Sequence, residues 1–479
     1  MIEAWPTEAL NEQCQTFFLH CVLRVANETS HDCRVVLVMC LTRLFSRIGT
    51  KEYLQLADYV VQWLKPRDDV SVTTTRMACA SAQVCRIMLE KRPNPLKGGV
   101  GRELVRHALE HVARESRTVD EERARDDDDE FGGVDGGGEG GVTNLDNIVE
   151  HNMTPVWRNK EVAPCPTGAT WEVALHSMRA LEMSLKVSYL TELTSTSVMD
   201  RRLPSVMLHT QHGMRIGASR LVGHVLALKD ASKKIDEDTK RLLLNRLCRQ
   251  LEGSFTDTEL TDTVVRNLVY LGRTMWEEQV KTYTVKKESK KRERGGSAGG
   301  GGGGEERRVV PMNWLFHRLS FLARKKRLDH DQERFELRAT AVMQWMAALI
   351  QFDDQVTYIH TKTMLAPVFR LVNSERREVS NELRALAQEL MEMIQASLKR
   401  SSAEEGTFLK LHEEVRSKVT EDKLERKRKR AQLKIVDPEA AAIYREQRKD
   451  AKKRNKNKKK MSDGYHKVRK RRRGNEDIL

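Results

Sequence analysis

The residues of this chain dense enough to do chemistry are lysines and arginines, in three blocks. Lys423 with Arg426-Lys427-Arg428-Lys429-Arg430 forms the first. Lys452-Lys453-Arg454 with Lys456 and Lys458-Lys459-Lys460 forms the second, and Lys467 with Arg469-Lys470-Arg471-Arg472-Arg473 the third. Like charges at this density repel one another, so they do not pack without a polyanion. Their chemistry is phosphate neutralisation, in which each contact on single-stranded RNA releases a counterion and adds about 0.7 to the salt slope of binding. Tyr465, beside Gly464, has the face to stack on an unpaired base; a turn position next to glycine is the plainer role. One block suffices for a nuclear localisation signal. Three separated blocks point to RNA contact as well.

No other constellation assembles. His31-Asp32-Cys33 resembles a metal site for three residues, but none of the eight cysteines stands in a Cys-x-x-Cys pair, and a tetrahedral zinc site needs four ligands. The glycine run Gly299 to Gly304 has no Lys-Ser/Thr after it and no strand signal before it, so it reads as a linker rather than a phosphate loop. Carboxylates alternate with cations, as in Glu375-Arg376-Arg377-Glu378, the pattern of a solvated helix face. His20 and His224 fall in apolar helical stretches, where a satisfied or partly buried imidazole is expected rather than a ligand. The expectation is a protein with no catalytic residues, no metal and no cofactor.

The elements that must carry the basic blocks are helical. Leu37, Cys40, Leu41, Leu44 and Phe45 recur at three- and four-residue spacing, Gly49-Thr50 breaks the run, and Tyr53, Leu56, Ala57, Val60, Val61 and Leu64 resume it until Pro66. This predicts one helical hairpin. Similar stripes follow at Leu221–Leu226, Leu242–Leu251, Leu268–Met275, Trp314–Leu322, Ala341–Leu349 and Leu383–Ile394. Period-two alternation is almost absent, and aromatics are 5% of the chain, which argues against a sandwich and against RNA-binding sheets. A stack of helical hairpins of HEAT or armadillo type, an all-α solenoid, is favoured over a closed bundle because it tolerates loop insertions. Two such insertions interrupt the periodicity. One is acidic and glycine-rich (121–144), the other basic and glycine-rich (286–308); neither composition buries enough apolar surface to order. They divide the chain into helical hairpins at 1–120, helical repeats at 145–285, last repeats at 309–400 and a basic helix and tail at 401–479.

Charge sharpens that division. Residues 423–479 hold 23 Lys/Arg against 8 Asp/Glu, a surplus equal to the +15 of the whole 479-residue chain, so the remaining residues balance. No apolar run reaches the ~18–20 residues of a membrane span, and the Met1-Ile2-Glu3 start has no basic leader. Cysteines embedded in apolar helices suit a reducing compartment. The expectation is a soluble intracellular protein.

The order of motifs in the tail resembles the C-terminus of the small-subunit processome component 20 family, also called down-regulated in metastasis. A Lys/Arg helix (Arg426 to Arg430) is followed by a Val-x-Asp/Asn-Pro-x-x-Ala-Ala element (Val436 to Ala441 here), then lysine repeats (Lys452 to Lys460), then Gly464-Tyr465 and a last basic cluster (Lys467 to Arg473). Trp345 to Asn373 is similar to the family's last HEAT repeat, with an Ala366-Pro367 turn into the next helix, and Leu383 to Ile394 to the helix leading into the tail. The resemblance covers roughly 311–473 in detail and is architectural before that. It implies a piece of a much longer solenoid, a non-catalytic scaffold role in small-subunit pre-rRNA processing, and residence in the nucleolus. The implied partners are pre-rRNA, the snoRNA-containing processome and other ribosome-assembly proteins, with no membrane and no small-molecule substrate. A nuclear transport or chromatin adaptor with an armadillo-like body is the alternative from another class.

Overall fold

The computed structural model describes residues 5–123, 165–198, 202–228, 235–252, 257–293, 312–324, 332–374, 379–401 and 407–436. Regular structure among them is helical throughout, with no strand, in the expected all-α class of stacked hairpins. The chain divides into two compact units, Met1–Leu315 and Phe316–Leu479. Most of both expected insertions, and the tail beyond Val436, lie outside the described residues.

The first unit begins with α1 (Thr7–Asn27), α2 (His31–Arg47), α3 (Thr50–Leu64) and α4 (Val72–Lys91). Small polar residues set their starts. Ser30 accepts from the Cys33 N–H at 3.4 Å, and Ser71 and Thr74 cap each other's backbone at 3.2 and 2.9 Å, satisfying amides that a first turn leaves without partners. The hairpins formed are α1 with α2 and α3 with α4. This corrects the expected pairing of Leu37–Phe45 with Tyr53–Leu64. Ile48 and Gly49 are both extended (ψ 157° and 162°), so the link carries the chain onward to a new hairpin instead of folding α3 back along α2. Phe45 and Tyr53 meet edge to face at 5.6 Å across that link, and Arg92 closes it by donating to the Ile48 carbonyl at 2.6 Å.

Next come α5 (Gly99–Arg123), α6 (Thr170–Ser184), α7 (Ser188–Val198), the short α8 (Arg202–Val206), α9 (His212–Leu226), α10 (Glu237–Glu252) and α11 (Thr258–Glu293). The helix α11 continues past Lys286, where the linker was expected to start. A Lys/Arg/Glu composition is compatible with helix as well as coil, because straight-chain residues lose little rotamer freedom in a helix. One inner layer runs through the unit, with α4 packed on α6, α6 on α9 and α9 on α11. From Ala78 to Leu89, α4 is buried at every position except Arg86.

Several polar groups of this unit are buried with partners. Asn267 of α11 donates to the Ser219 carbonyl at 2.7 Å, and Gln250 of α10 donates to the Met207 carbonyl at 2.5 Å. Gly223 permits the approach, since a Cβ there would stand 2.5 Å from Asn267 Oδ1. Lys240, 2% exposed, lies between Glu237 at 3.0 Å and Glu278 at 2.7 Å. His209 accepts the Gln211 N–H on Nδ1 at 2.9 Å, which leaves Nε2 to donate to the buried Glu115 at 3.0 Å. The histidines singled out in the sequence, His20 and His224, are exposed. They sit on the polar sides of amphipathic helices, more open than the partly buried placement that the apolar stretches suggested.

The second unit contains α12 (Met312–Leu322, from Phe316 onward), α13 (Gln332–Phe352), α14 (Asp354–Val372), α15 (Asn381–Arg400) and α16 (Thr407–Val436). Phe316 packs on Trp345 at 4.8 Å and stacks on His360 at 4.4 Å. Asp354 at the start of α14 takes both a 3.0 Å and a 2.8 Å bond from Arg400 at the end of α15. Ser397 adds a third bond to Asp354 at 2.6 Å. The turn between α13 and α14 is made by Asp353, which caps Gln355 at 2.8 Å, and Pro367 lies inside α14. The expected Ala366-Pro367 turn is therefore corrected. A proline has no N–H for the carbonyl four residues back, and the Ser320 hydroxyl reaches that carbonyl, on Thr363, at 3.3 Å.

Two stability predictions arise from these contacts. Ser320→Ala should cost about 1 kcal/mol, the usual net worth of such a bond, and clearly less in a Pro367→Ala background where an amide returns; equal costs in both backgrounds, by denaturant melts, would exclude the substitution role. Burial, with His317 nearby, lowers His360 to about 4, against about 6.5 unfolded. A lowered folded value means the stabilisation is full above pH 6.5 and is lost as pH falls toward 4, by on the order of 3 kcal/mol. His360→Leu should flatten the decline of the melting temperature over that window, and an unchanged slope would refute it.

Candidate nucleic-acid interface

The helix α16 brings the first basic block to the surface. Its beginning is docked lightly. Val415 is the one residue of the described α16 side chains classed as buried, His412 meets Phe369 at 5.3 Å, and Lys362 of α14 pairs with Glu414 at 2.7 Å. From Thr420 to Gln432 every residue whose side chain is described is exposed, Leu424 and Arg428 among them. The helix thus continues for several turns with its described side chains open to solvent.

Helical geometry sorts the block on that stretch. Lys423, Arg426, Lys427, Arg430 and Lys434 follow i, i+3, i+4, i+7 and i+11 spacing within α16, which places them on one face. Arg428 and Lys429 lie on other faces. The side chains of Lys423, Arg426, Lys427, Lys429 and Arg430 lie outside the described ones, as do all atoms of Lys452, Lys453, Arg454, Lys456, Lys458, Lys459, Lys460, Tyr465, Lys467, Arg469, Lys470, Arg471, Arg472 and Arg473. Lys434 was missed in the sequence because it stands alone between Leu433 and Ile435; only the helix phase joins it to the block. The structure describes the first block's backbone, and the other two blocks lie outside the described residues.

Among the described residues no group of three His, Cys, Asp or Glu side chains is placed to hold a metal, and no helix is long and apolar enough to cross a membrane. The eight cysteines are free thiols. Burial pushes Cys21 and Cys85 up to about 12, which keeps both protonated and unreactive at neutral pH. These two thiols are packing groups.

The family described as small subunit processome component 20 homolog, C-terminal, matches residues 175–463. This chain belongs to that family. The match begins within α6, well upstream of the stretch whose residues carried the resemblance. Helical repeats hold their identity in degenerate apolar positions, so their kinship is hard to see in one sequence. The match takes in the first two basic blocks and ends before Tyr465 and Lys467 to Arg473. Three solved structures are also similar at low score. Kap121p is 12% identical with a TM-score of 0.32, over 83% of this chain and 39% of that one. Kap95p, from its complex with RanGDP, is 11% identical with a TM-score of 0.30, over 80% of this chain and 48% of that one. An engineered protein is 12% identical with a TM-score of 0.30, over 82% of each chain. The chain thus spans less than half the length of the two natural proteins.

The light docking of α16 is testable. Val415→Asp would bury a charge without a partner, at a cost of several kcal/mol, so trypsin should cut at Lys410 and Lys418 much earlier than in the unaltered chain while α13 to α15 stay protected. Unchanged cleavage at those two sites would show that Val415 does not hold the helix.

Proposed function

We propose that the chain is a non-catalytic scaffold of the small-subunit processome, acting in small-subunit pre-rRNA processing in the nucleolus, and that its basic tail contacts pre-rRNA. Family membership supports the particle. The observation that carries the RNA contact is the exposed run of α16 from Thr420 to Gln432, which leads a basic sequence out of the packed repeats. Such a helix offers phosphates a row of cations without desolvating a core, and contacts of this kind position a protein on RNA without reading sequence. The partners proposed are pre-rRNA, snoRNA-containing particles and neighbouring assembly proteins. The same tail serves nuclear and nucleolar targeting. A transport or chromatin adaptor would need a basic address but no RNA affinity, and the family favours the processome.

Binding of the full chain to unstructured RNA should fall steeply with salt. Engaging about half of the tail's cations gives a slope near −7 to −9 in log K against log salt. Replacing Arg471, Arg472 and Arg473 by glutamine should flatten it by about two, and deleting 423–479 should disperse a fluorescent fusion from nucleoli. A slope near −2 in the unaltered chain would reduce the tail to an import signal.

A further inference from the structure

In the first unit, α11 outruns the helices it packs on, α9 and α10. α10 lies antiparallel to it, and Lys240 meets Glu278 at 2.7 Å. Glu237, where α10 begins, is therefore level with the turn after Glu278. α9 runs parallel to α11. His212 at its start meets Asp257 at 2.7 Å, and Gly223 lies opposite Asn267, so its end at Leu226 falls short of Glu278. Yet α11 continues to Glu293, roughly three turns past the ends of both partners. The last buried residue described on it is Trp276, and Glu277 to Val280 are part-exposed. The stripe of Val264, Leu268, Leu271 and Met275 continues at the same spacing to Glu278, Thr282, Val285 and Ser289. One apolar residue in four gives these turns little to bury.

The residues on those turns are cationic. Lys281, Lys286, Lys287, Lys290, Lys291 and Arg292 stand with two carboxylates, Glu288 and Glu293. Their side chains lie outside the described ones, but the helical backbone sorts the positions. Tyr283, Lys286, Lys287, Lys290 and Lys291 follow i, i+3, i+4, i+7 and i+8 spacing, which places them on one face. Lys281 and Arg292 fall on the opposite face, and both glutamates fall outside the lysine register. Lys286 with Lys290, and Lys287 with Lys291, are like-charged pairs four residues apart, which weaken a helix. An anion laid along that face relieves the repulsion. The lysine face carries no aliphatic residue, so it has nothing to insert into a lipid surface or into the apolar groove of a helix-binding protein. Its one aromatic, Tyr283, suits a stacked base. The helix α16 follows the same plan, turning basic after Val415, the last buried side chain described on it.

We propose that the last turns of α11 are a second RNA-binding element, in which Lys286, Lys287, Lys290 and Lys291 take the phosphates of a single strand and Tyr283 stacks on an unpaired base. The proposal rests on the RNA-contact reading above and adds to the tail a separate site in the first unit.

The test uses the full chain and a mixed-sequence single-stranded RNA of about 20 nucleotides. Lys286→Gln, Lys287→Gln, Lys290→Gln and Lys291→Gln together should flatten the salt slope by about three, at roughly 0.7 per phosphate, in addition to the change made by the Arg471–Arg473 variant. The control, Lys281→Gln with Arg292→Gln on the opposite face, should leave the slope unmoved; equal flattening per charge would mean a diffuse field and overturn the row. If the tail variant flattens the slope and the α11 variant does not, the row is refuted while the tail reading stands. If neither does, both fall. Should the quadruple variant fail to fold, Lys287→Gln with Lys291→Gln should still flatten the slope by roughly 1.4. Tyr283→Leu should weaken binding about tenfold with the slope unchanged, and undiminished affinity would overturn the stacking assignment. In the unaltered chain RNA should slow amide exchange over 282–293, and absence of that protection overturns the proposal.

Discussion

Helix α4 cannot be stable alone, because its apolar and small residues run round its whole circumference between Ala78 and Leu89. It must be covered on several sides at once, and α1, α3 and α6 cover it. Each fully buried Val, Leu or Met side chain contributes roughly 1.5–3 kcal/mol, so the layer from α4 through α6 and α9 to α11 holds the first unit together. The other features follow from keeping that layer dry. Asn267 enters it donating to a carbonyl, and Lys240 enters between opposite charges. Arg34, fully buried, reaches the Val25 carbonyl at 2.6 Å near the end of α1.

The second unit solves the same problem with fewer helices and more use of helix ends. Asp354 and Arg400 join the start of α14 to the end of α15, where each charge also suits the local dipole. Glu336 of α13 accepts the Ser380 N–H at 2.9 Å, tying the next helix start. Pro367 would weaken α14 in isolation, yet its loss of one backbone bond is offset by a side chain from α12. The proline is tolerated because the carbonyl it frees is answered within the same packed unit.

Charge is partitioned in the same spirit. The repeats balance their acids and bases, which lets many charged helices pack without a net field, while the surplus is moved to a helix that leaves the packing and to the residues after it. A concentrated cationic segment attached to charge-balanced repeats can follow a polyanion without straining their packing.

The helical class, the helix spans and the charge partition were legible in the sequence, because a 3.6-residue apolar period and a run of lysines are local properties. The family was legible too, from ordered motifs near the tail. What only the tertiary structure decided was partnership. The link at Ile48-Gly49 could be read as a hairpin turn, but two extended residues make it a step between hairpins. Pro367 looked like a boundary, since its effect depends on Ser320, far away in the chain. His20 and His224 read as satisfied or partly buried and are exposed, because an apolar stretch does not say which of its residues faces the layer. The succession of α4, α6 and α9 carried no signal at all, because it is set by side-chain fit between distant segments rather than by any local pattern.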